Sequence, residues 1–250
     1  MAVYAIGDVH GQFNALKSLI YKLELKPDDH IIFLGDYVDR GPDWFDVVKY
    51  IISLYDMCRV TALWGNHDMM MNDSIIMFKD SVICPEISSQ EKREIWFYNG
   101  GKKTYNKFIK LSTDEKMLVS DFFKKLQMDI AVTVNNQEYI LCHSLPEDTG
   151  KTLWDSAWAR LLWNANGSVY CESDIDDKIL FEKYKDKTII HGHTPVLNYI
   201  KANEPVKAFA YKINDVTFVN IDLGAGYLGE FSGTNICALR LDDMKEFYAI

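Results

Sequence analysis

Short apolar runs, each closing on a cluster of polar residues, punctuate the chain. Residues 3–6 run into Gly7-Asp8-Val9-His10-Gly11, and residues 31–34 into Gly35-Asp36-Tyr37-Val38-Asp39-Arg40-Gly41. Residues 60–64 run into Gly65-Asn66-His67-Asp68, residues 139–142 into His143-Ser144, and residues 188–190 into His191-Gly192-His193-Thr194-Pro195. Apolar runs this short, bounded by turn formers, predict buried strands. Between the first three, Phe13, Leu16, Leu19, Ile20 and Leu23 fall at helical spacing, as do Phe45, Val48, Ile51, Ile52 and Tyr55. Pro42 suits the first turn of the second helix. The first half therefore reads β-α-β-α-β, a layered α/β arrangement. Residues from about 72 to 125 are mostly helical in pattern, which suggests an insertion or cap on a single domain spanning 1–250. Residues 206–212, 216–221 and 235–241 resemble a second set of strands, and their close spacing favours antiparallel pairing. The expectation is a sheet sandwich flanked by helices.

Composition narrows the partners. Hydrophobic residues make up 48% and charged residues 25% of the 250, enough to bury one sizeable core. The formal net charge of −9 argues against nonspecific affinity for nucleic acid or an anionic membrane. It also sets a condition: an anionic substrate needs a local cationic site. Cys58, Cys84, Cys142, Cys171 and Cys237 lack metal-finger spacing and read as reduced thiols. Met1 leads straight into a short apolar run with no basic flank or cleavage site. No stretch reaches the ~18 apolar residues of a membrane span. A cytoplasmic protein with no nucleic-acid or membrane partner is expected.

The polar clusters sit at the carboxyl ends of predicted strands, where ligands gather in open α/β sheets. They supply Asp8, His10, Asp36, Asn66, His143, His191 and His193, a mixed oxygen and imidazole set suited to Mn, Fe or Zn. Of the six histidines only His30 lies outside such a cluster, so the imidazoles are concentrated where chemistry would be. Neighbouring glycines allow short side chains to converge. Taken singly, each motif is a common turn. Five in chain order, each after a strand, point to one site.

These motifs resemble the phosphoprotein-phosphatase branch of the calcineurin-like metallophosphoesterases, and within it compact bacterial and phage enzymes of the lambda phosphatase type. Trp96-x-x-Asn99-Gly100-Gly101-x-x-Thr104 and Ile221-Asp222-x-Gly224 are similar to that branch as well, so the resemblance runs from residue 7 to about 226. It implies a four-layer α/β/β/α metallophosphoesterase sandwich with a mostly helical insertion. It also implies two divalent metal ions, manganese first, with iron or zinc as alternatives. Asp8 and His10 would hold the first metal, Asp36 would bridge, and Asn66, His143 and His193 would hold the second. His191 lacks the preceding glycine of the family's ligand and is expected to be structural.

The reaction implied is in-line attack on phosphorus by a metal-bridging hydroxide, with no covalent intermediate. Arg40 would clamp phosphoryl oxygens, with Asn66 also touching substrate. His67 would protonate the leaving alkoxide, with Asp39 as its partner. For Asp68, helix capping is as good a reading as chemistry. One departure stands out: where the branch continues Leu161-Leu162-Trp163-Asn164 with a second clamping arginine, this chain has Ala165, and Arg160 is the candidate replacement. Trp154, Trp158 and Trp163 are expected on one packed helix face. The implied substrate is a phosphorylated protein, bearing phosphoserine or phosphothreonine, or a small phosphate ester. Symmetrical hydrolysis of dinucleoside tetraphosphates is the alternative. A non-catalytic metal-bound scaffold is a third reading, weakened by the presence of Asp36, Asn66 and His67.

Overall fold

The apolar runs become strands buried on both faces, which is why they read as unbroken rather than alternating. The computed structural model describes residues 1–75, 89–146, 160–163, 169–172, 181–200, 204–213 and 215–249. Strand β1 (Val3–Ile6) sends Tyr4 and Ile6 to a helix-covered side and Val3 and Ala5 to the other. Strand β2 (His30–Phe33) divides Ile31 and Phe33 from Ile32 in the same way. With β3 (Arg59–Ala62) they form a parallel run, Val3 opposite His30 and His30 opposite Arg59. The crossovers are α1 (Phe13–Leu23) and α2 (Trp44–Leu54), whose Leu16, Leu19, Val48 and Ile51 share one core with Tyr4, Ile6 and Phe33. Pro42 is not in the first turn of α2. Its neighbour Asp43 commits its N–H to the Gly11 carbonyl at 2.9 Å, so the helix begins only at Trp44.

Between β3 and the second sheet the described chain is helical: α3 (Asn66–Ile75), α4 (Ser89–Trp96), a π turn at Phe97–Gly101, α5 (Lys102–Phe108) and α6 (Thr113–Phe123). A capping box opens α6, with Ser112 Oγ accepting from the Glu115 N–H and the Glu115 carboxylate accepting from the Ser112 N–H. Trp96, Phe108, Phe122 and Phe123 from these helices enter the core beneath α1 and α2.

The second sheet has the order β4 (Asp129–Val134), β5 (Gln137–Cys142), β8 (Thr188–His191), β10 (Val216–Asn220), β9 (Phe209–Ile213), with β5, β8 and β10 parallel and the edges antiparallel. Leu141, Ile190 and Val219 meet Val3, Ala5 and Ile32 between the sheets. Ile140, Ile189 and Phe218 on the outer face pack against Phe181 and Tyr184. This is the expected α/β sandwich.

Two further expectations fail. Residues 235–241 do not join the second sheet: β11 (Cys237–Arg240) pairs antiparallel with β1, Tyr4 opposite Arg240, and β12 (Lys245–Tyr248) follows at its edge. Cys237 and Leu239 face the inter-sheet core while Ala238 faces the helices, so this apolar strand fits an interior position in either sheet. The open edge of β1 takes it. Trp163 is not helical either. It ends β6 (Arg160–Trp163), a strand paired with β7 (Val169–Glu172), and cross-strand pairing overrides the helical spacing. Trp154, Trp158, Asn164 and Ala165 lie outside the described residues. Cys58, Cys142 and Cys237 are free and buried. Among the described residues no helix is long and apolar enough to cross a membrane.

Candidate active site

The loops leaving β1, β2 and β8 adopt backbone conformations that side-chain-bearing residues avoid. His10 (φ 46°), Asp36 (54°), Asp39 (69°), Arg40 (62°) and His193 (70°) all lie in the left-handed region, a strain tolerated where the surroundings over-determine it. Here the surroundings are polar and specific. The Asp36 carbonyl accepts from the His10 N–H at 2.7 Å. Asp68, in the first turn of α3, accepts three backbone N–H bonds: from Asp36 at 2.7 Å, Tyr37 at 3.0 Å and Gly65 at 3.1 Å. That assigns Asp68 to holding the Asp36 turn against α3. Gly65 and Gly192 are required by close approach, since a Cβ on either would strike the carboxylate of Asp36 or Asp8 respectively.

The six candidate metal ligands converge on Asp36. Its Oδ2 lies 3.4 Å from His10 Nε2, and its Oδ1 lies 3.6 Å from His143 Nε2, so each carboxylate oxygen faces a different imidazole. Asp8 Oδ2 is 3.9 Å from His10 Nε2 on the first side. On the second, Asn66 Oδ1 lies 3.0 Å from both His143 Nε2 and His193 Nδ1. The His193 N–H donates to Asp8 Oδ1 at 3.2 Å, tying the two sides together. Backbone carbonyls set the imidazoles: Nδ1 of His10 lies 2.9 Å from the Val38 oxygen, and Nδ1 of His143 lies 2.9 Å from the Leu34 oxygen. Nδ1–H donation to those carbonyls leaves each Nε2 lone pair turned inward, the usual arrangement of a metal-binding histidine. His191 differs. Its Nδ1 meets the Gly192 oxygen at 3.1 Å and its Nε2 meets Tyr211 Oη at 2.8 Å, so both nitrogens are engaged away from the cluster.

Beside the cluster is a second constellation. His67 Nδ1 lies 2.7 Å from Asp39 Oδ2, and the same oxygen accepts from Trp96 Nε1–H at 2.8 Å. His67 Nε2 is 3.3 Å from Arg40 Nη2, and the Arg40 guanidinium lies 5.1 Å from the centroid of the Tyr227 ring. The His67 N–H donates to Asp36 Oδ1 at 3.0 Å, which joins this corner to the ligand cluster. All the residues singled out from the strand-end motifs except His191 therefore come together.

A family model described as calcineurin-like phosphoesterase matches residues 1–219. The chain belongs to that family. Curated symmetrical bis(5'-nucleosyl)-tetraphosphatases from Escherichia coli strains are 46% identical over 70 residues, 28% of this phosphoesterase and 24% of their own length. The match thus spans about a quarter of those relatives. Among solved structures, a Saccharomyces cerevisiae protein serine/threonine phosphatase superposes with a TM-score of 0.58 at 17% identity, over 100% of this chain and 80% of that one. A candidate diadenosine tetraphosphatase superposes with a TM-score of 0.57 at 16% identity, over 99% of this chain and 92% of that one. At these identities the likeness is one of fold.

The phosphoesterase cluster fits divalent cations on its own evidence. Asp8 Oδ2 is buried with no hydrogen-bond partner. Burial, reinforced by the Asp222 and Asp36 carboxylates, pushes the Asp8 carboxyl well above its ordinary range, so its ionised form lacks a counter-charge that a cation would supply. Burial also raises Asp222 to about 6. Burial works to raise Asp36 too, but the facing rings of His143, His67 and His10 and the His67 N–H lower it, so it is the carboxyl of the cluster that stays ionised. Burial pushes His10 and His143 below their ordinary value, keeping them neutral and free to ligate. Two carboxylate–imidazole groups have donor atoms within 4.8 Å of one another: His10, Asp36 and His67, and Asp8, Asp36 and His143. Asp36 belongs to both.

Three residues of the site had no role in the sequence reading. Asp222 follows β10 by the same apolar-run-then-acid pattern that marked the other clusters, so a signal existed. Trp96 stood inside a recognised motif, but nothing in the sequence joins it to Asp39. Tyr227, beneath Arg40, carried no signal.

Proposed function

We propose that the chain acts as one domain, 1–250, that hydrolyses phosphate esters with two bound divalent cations, manganese first and iron or zinc as alternatives. The observation that carries this is the Asp36 carboxylate, with one oxygen toward each ligand group and His67, Asp39 and Arg40 alongside. Asp8, His10 and Asp36 would hold one cation, and Asp36, Asn66, His143 and His193 the other. When bound, such cations supply Lewis acidity toward phosphoryl oxygens and an activated water as nucleophile. Arg40 pairs with the equatorial oxygens as charge develops on them. In the resting arrangement its Nη2 also lies 3.3 Å from His67 Nε2. Turning the guanidinium to a phosphoryl group releases Nε2, which can then carry the proton for the leaving oxygen. Asp39 stabilises the imidazolium through Nδ1. Three buried free thiols support a cytoplasmic setting.

For the substrate we infer a phosphoserine or phosphothreonine protein, supported by the Asn99-Gly100-Gly101 segment lying against Arg40. A second reading, a dinucleoside tetraphosphate, is favoured by the 46% identity over 70 residues to symmetrical tetraphosphatases. Turnover of a phosphoserine peptide and of diadenosine tetraphosphate, measured side by side in manganese, separates them. Preference for the peptide supports the first reading, and preference for the dinucleotide moves the enzyme to the second. No turnover of either with any divalent cation would sink the catalytic reading.

A further inference from the structure

Beyond Arg40 a groove of about 590 Å³ opens between the π turn and the segment carrying Gly226 and Tyr227. Arg40 forms one end, and Tyr98, Lys102, Lys103, Tyr227 and Glu230 line its walls. None of the candidate metal ligands borders it, so the groove starts where the ligand cluster stops. Its three cations face one carboxylate, in a chain whose net charge is −9. Lys49, Lys92 and Lys107 elsewhere have acidic partners. Among the described residues neither Lys102 nor Lys103 has one.

The walls are organised rather than loose. Lys102 Nζ lies 4.4 Å from the Phe97 ring centroid, which fixes where its charge sits. Gly100, at φ 100°, turns the backbone of the π turn toward Arg40, and a Cβ there would lie 3.8 Å from Arg40 Cγ. Such turns within helices are frequent at functional sites. On the opposite side Gly226 has no room for a Cβ, which would sit 2.6 Å from Arg40 Cδ. Tyr98 is 92% exposed at the groove's edge. Arg40 is thus held between the His67 corner and a second cationic space that one phosphoryl group does not fill.

We propose that this groove is a subsite for a second phosphoryl group on the substrate, held by Lys102 and Lys103 while Arg40 clamps the group that is cleaved. The inference rests on the phosphoesterase reading above. A lysine ammonium is a compact point charge that pairs with a second phosphoryl group without needing the fork geometry of a second arginine. That group belongs either to the chain of a nucleoside polyphosphate or to a second phosphorylated side chain of a peptide.

The test is the Lys102→Ala/Lys103→Ala double variant, assayed at saturating free manganese. The substrates are p-nitrophenyl phosphate, diadenosine tetraphosphate, and singly and doubly phosphorylated serine peptides. The expected result is a loss in kcat/KM about tenfold greater on substrates with a second phosphoryl group than on p-nitrophenyl phosphate, equivalent to about 1.4 kcal/mol. The loss lies in KM and shrinks as salt rises, because exposed charges are screened. Whichever arm shows it, dinucleotide or doubly phosphorylated peptide, names the source of the group. Equal losses on all substrates, or none, overturn the proposal. If the unaltered protein turns over nothing, the catalytic reading fails separately. Equilibrium dialysis of tripolyphosphate against the metal-loaded chain then decides the subsite: weaker binding by the double variant supports it, and equal binding overturns it.

Discussion

The carboxylate–imidazole cluster and the His67 corner meet at Asp36, yet they are assembled from different reaches of the chain. In the cluster, backbone does the positioning. The Val38 and Leu34 carbonyls set the rings of His10 and His143, and the carboxylates of Asp36 and Asp8 pack against glycines that leave no room for a Cβ. In the corner, side chain holds side chain: Trp96 donates to Asp39, and Asp39 holds His67, with Trp96 57 positions from Asp39 along the chain. Backbone-set geometry follows from where a strand ends and how its turn bends. Side-chain-set geometry depends on a helix arriving from elsewhere, so it can be disturbed without touching the ligands.

That separation can be broken most severely at the residue both parts share. Asp36→Asn is expected to lower metal content, read by elemental analysis of the purified protein, and to abolish turnover. Loss of several kcal/mol of charge stabilisation corresponds to a drop on the order of a thousandfold. Full metal loading with near-normal turnover would remove Asp36 from the centre of the site. Next in size, His67→Asn should leave metal content unchanged and reduce kcat by roughly 10²–10⁴-fold on alkyl phosphates. The deficit should be far smaller on p-nitrophenyl phosphate, whose leaving group needs no proton. A uniform deficit would point to a merely structural role.

Trp96→Phe sharpens the comparison further, since it removes one N–H while keeping an aromatic ring in a fully buried place. A hydrogen bond to a charged group contributes about 1.5–3 kcal/mol. A fall in kcat of roughly tenfold or more follows, again concentrated on poor leaving groups and with metal content intact. Loss of metal in this variant would mean that the two parts are not separable.

The smallest effect concerns acid, and it guards the others against misreading. His30 Nε2 lies 2.9 Å from Thr61 Oγ1, and burial, with Arg59 adding to it, brings His30 down to about 4. Its folded value is below its unfolded one, so the unfolded chain takes up the proton first. The contribution to stability is whole above about pH 6.5 and is lost as pH falls toward 4, on the order of 1–2 kcal/mol. Denaturation at pH 7 and pH 5 should show a shallower pH dependence for His30→Gln than for the unaltered protein. Identical slopes would assign the acid sensitivity elsewhere.

Strand-end motifs were legible because they obey local rules. An apolar run bounded by a turn becomes a strand buried on both faces, and the acids and imidazoles that follow must emerge at its carboxyl end. β1, α1 and the convergence of Asp8, His10, Asp36, Asn66, His143 and His193 all follow from that pattern. Local rules failed where the deciding contact was remote. β11 carries apolar residues on both faces and would suit either sheet, and only the open edge of β1 chose between them. Trp163 keeps helical spacing with Trp154 and Trp158, but a partner strand at Val169–Glu172 claimed it.

The sequence by itself determined that Asp8, His10, Asp36, Asn66, His143 and His193 reach one centre, because strand ends and their turns are short-range properties of the chain. Tertiary structure alone decided what each does there. Asp68 became the clasp of the Asp36 turn, His191 was drawn off to Tyr211, and Trp96 came to bear on Asp39. Hydrogen bonds between side chains depend on distances that are set only when separate helices and sheets have packed against one core.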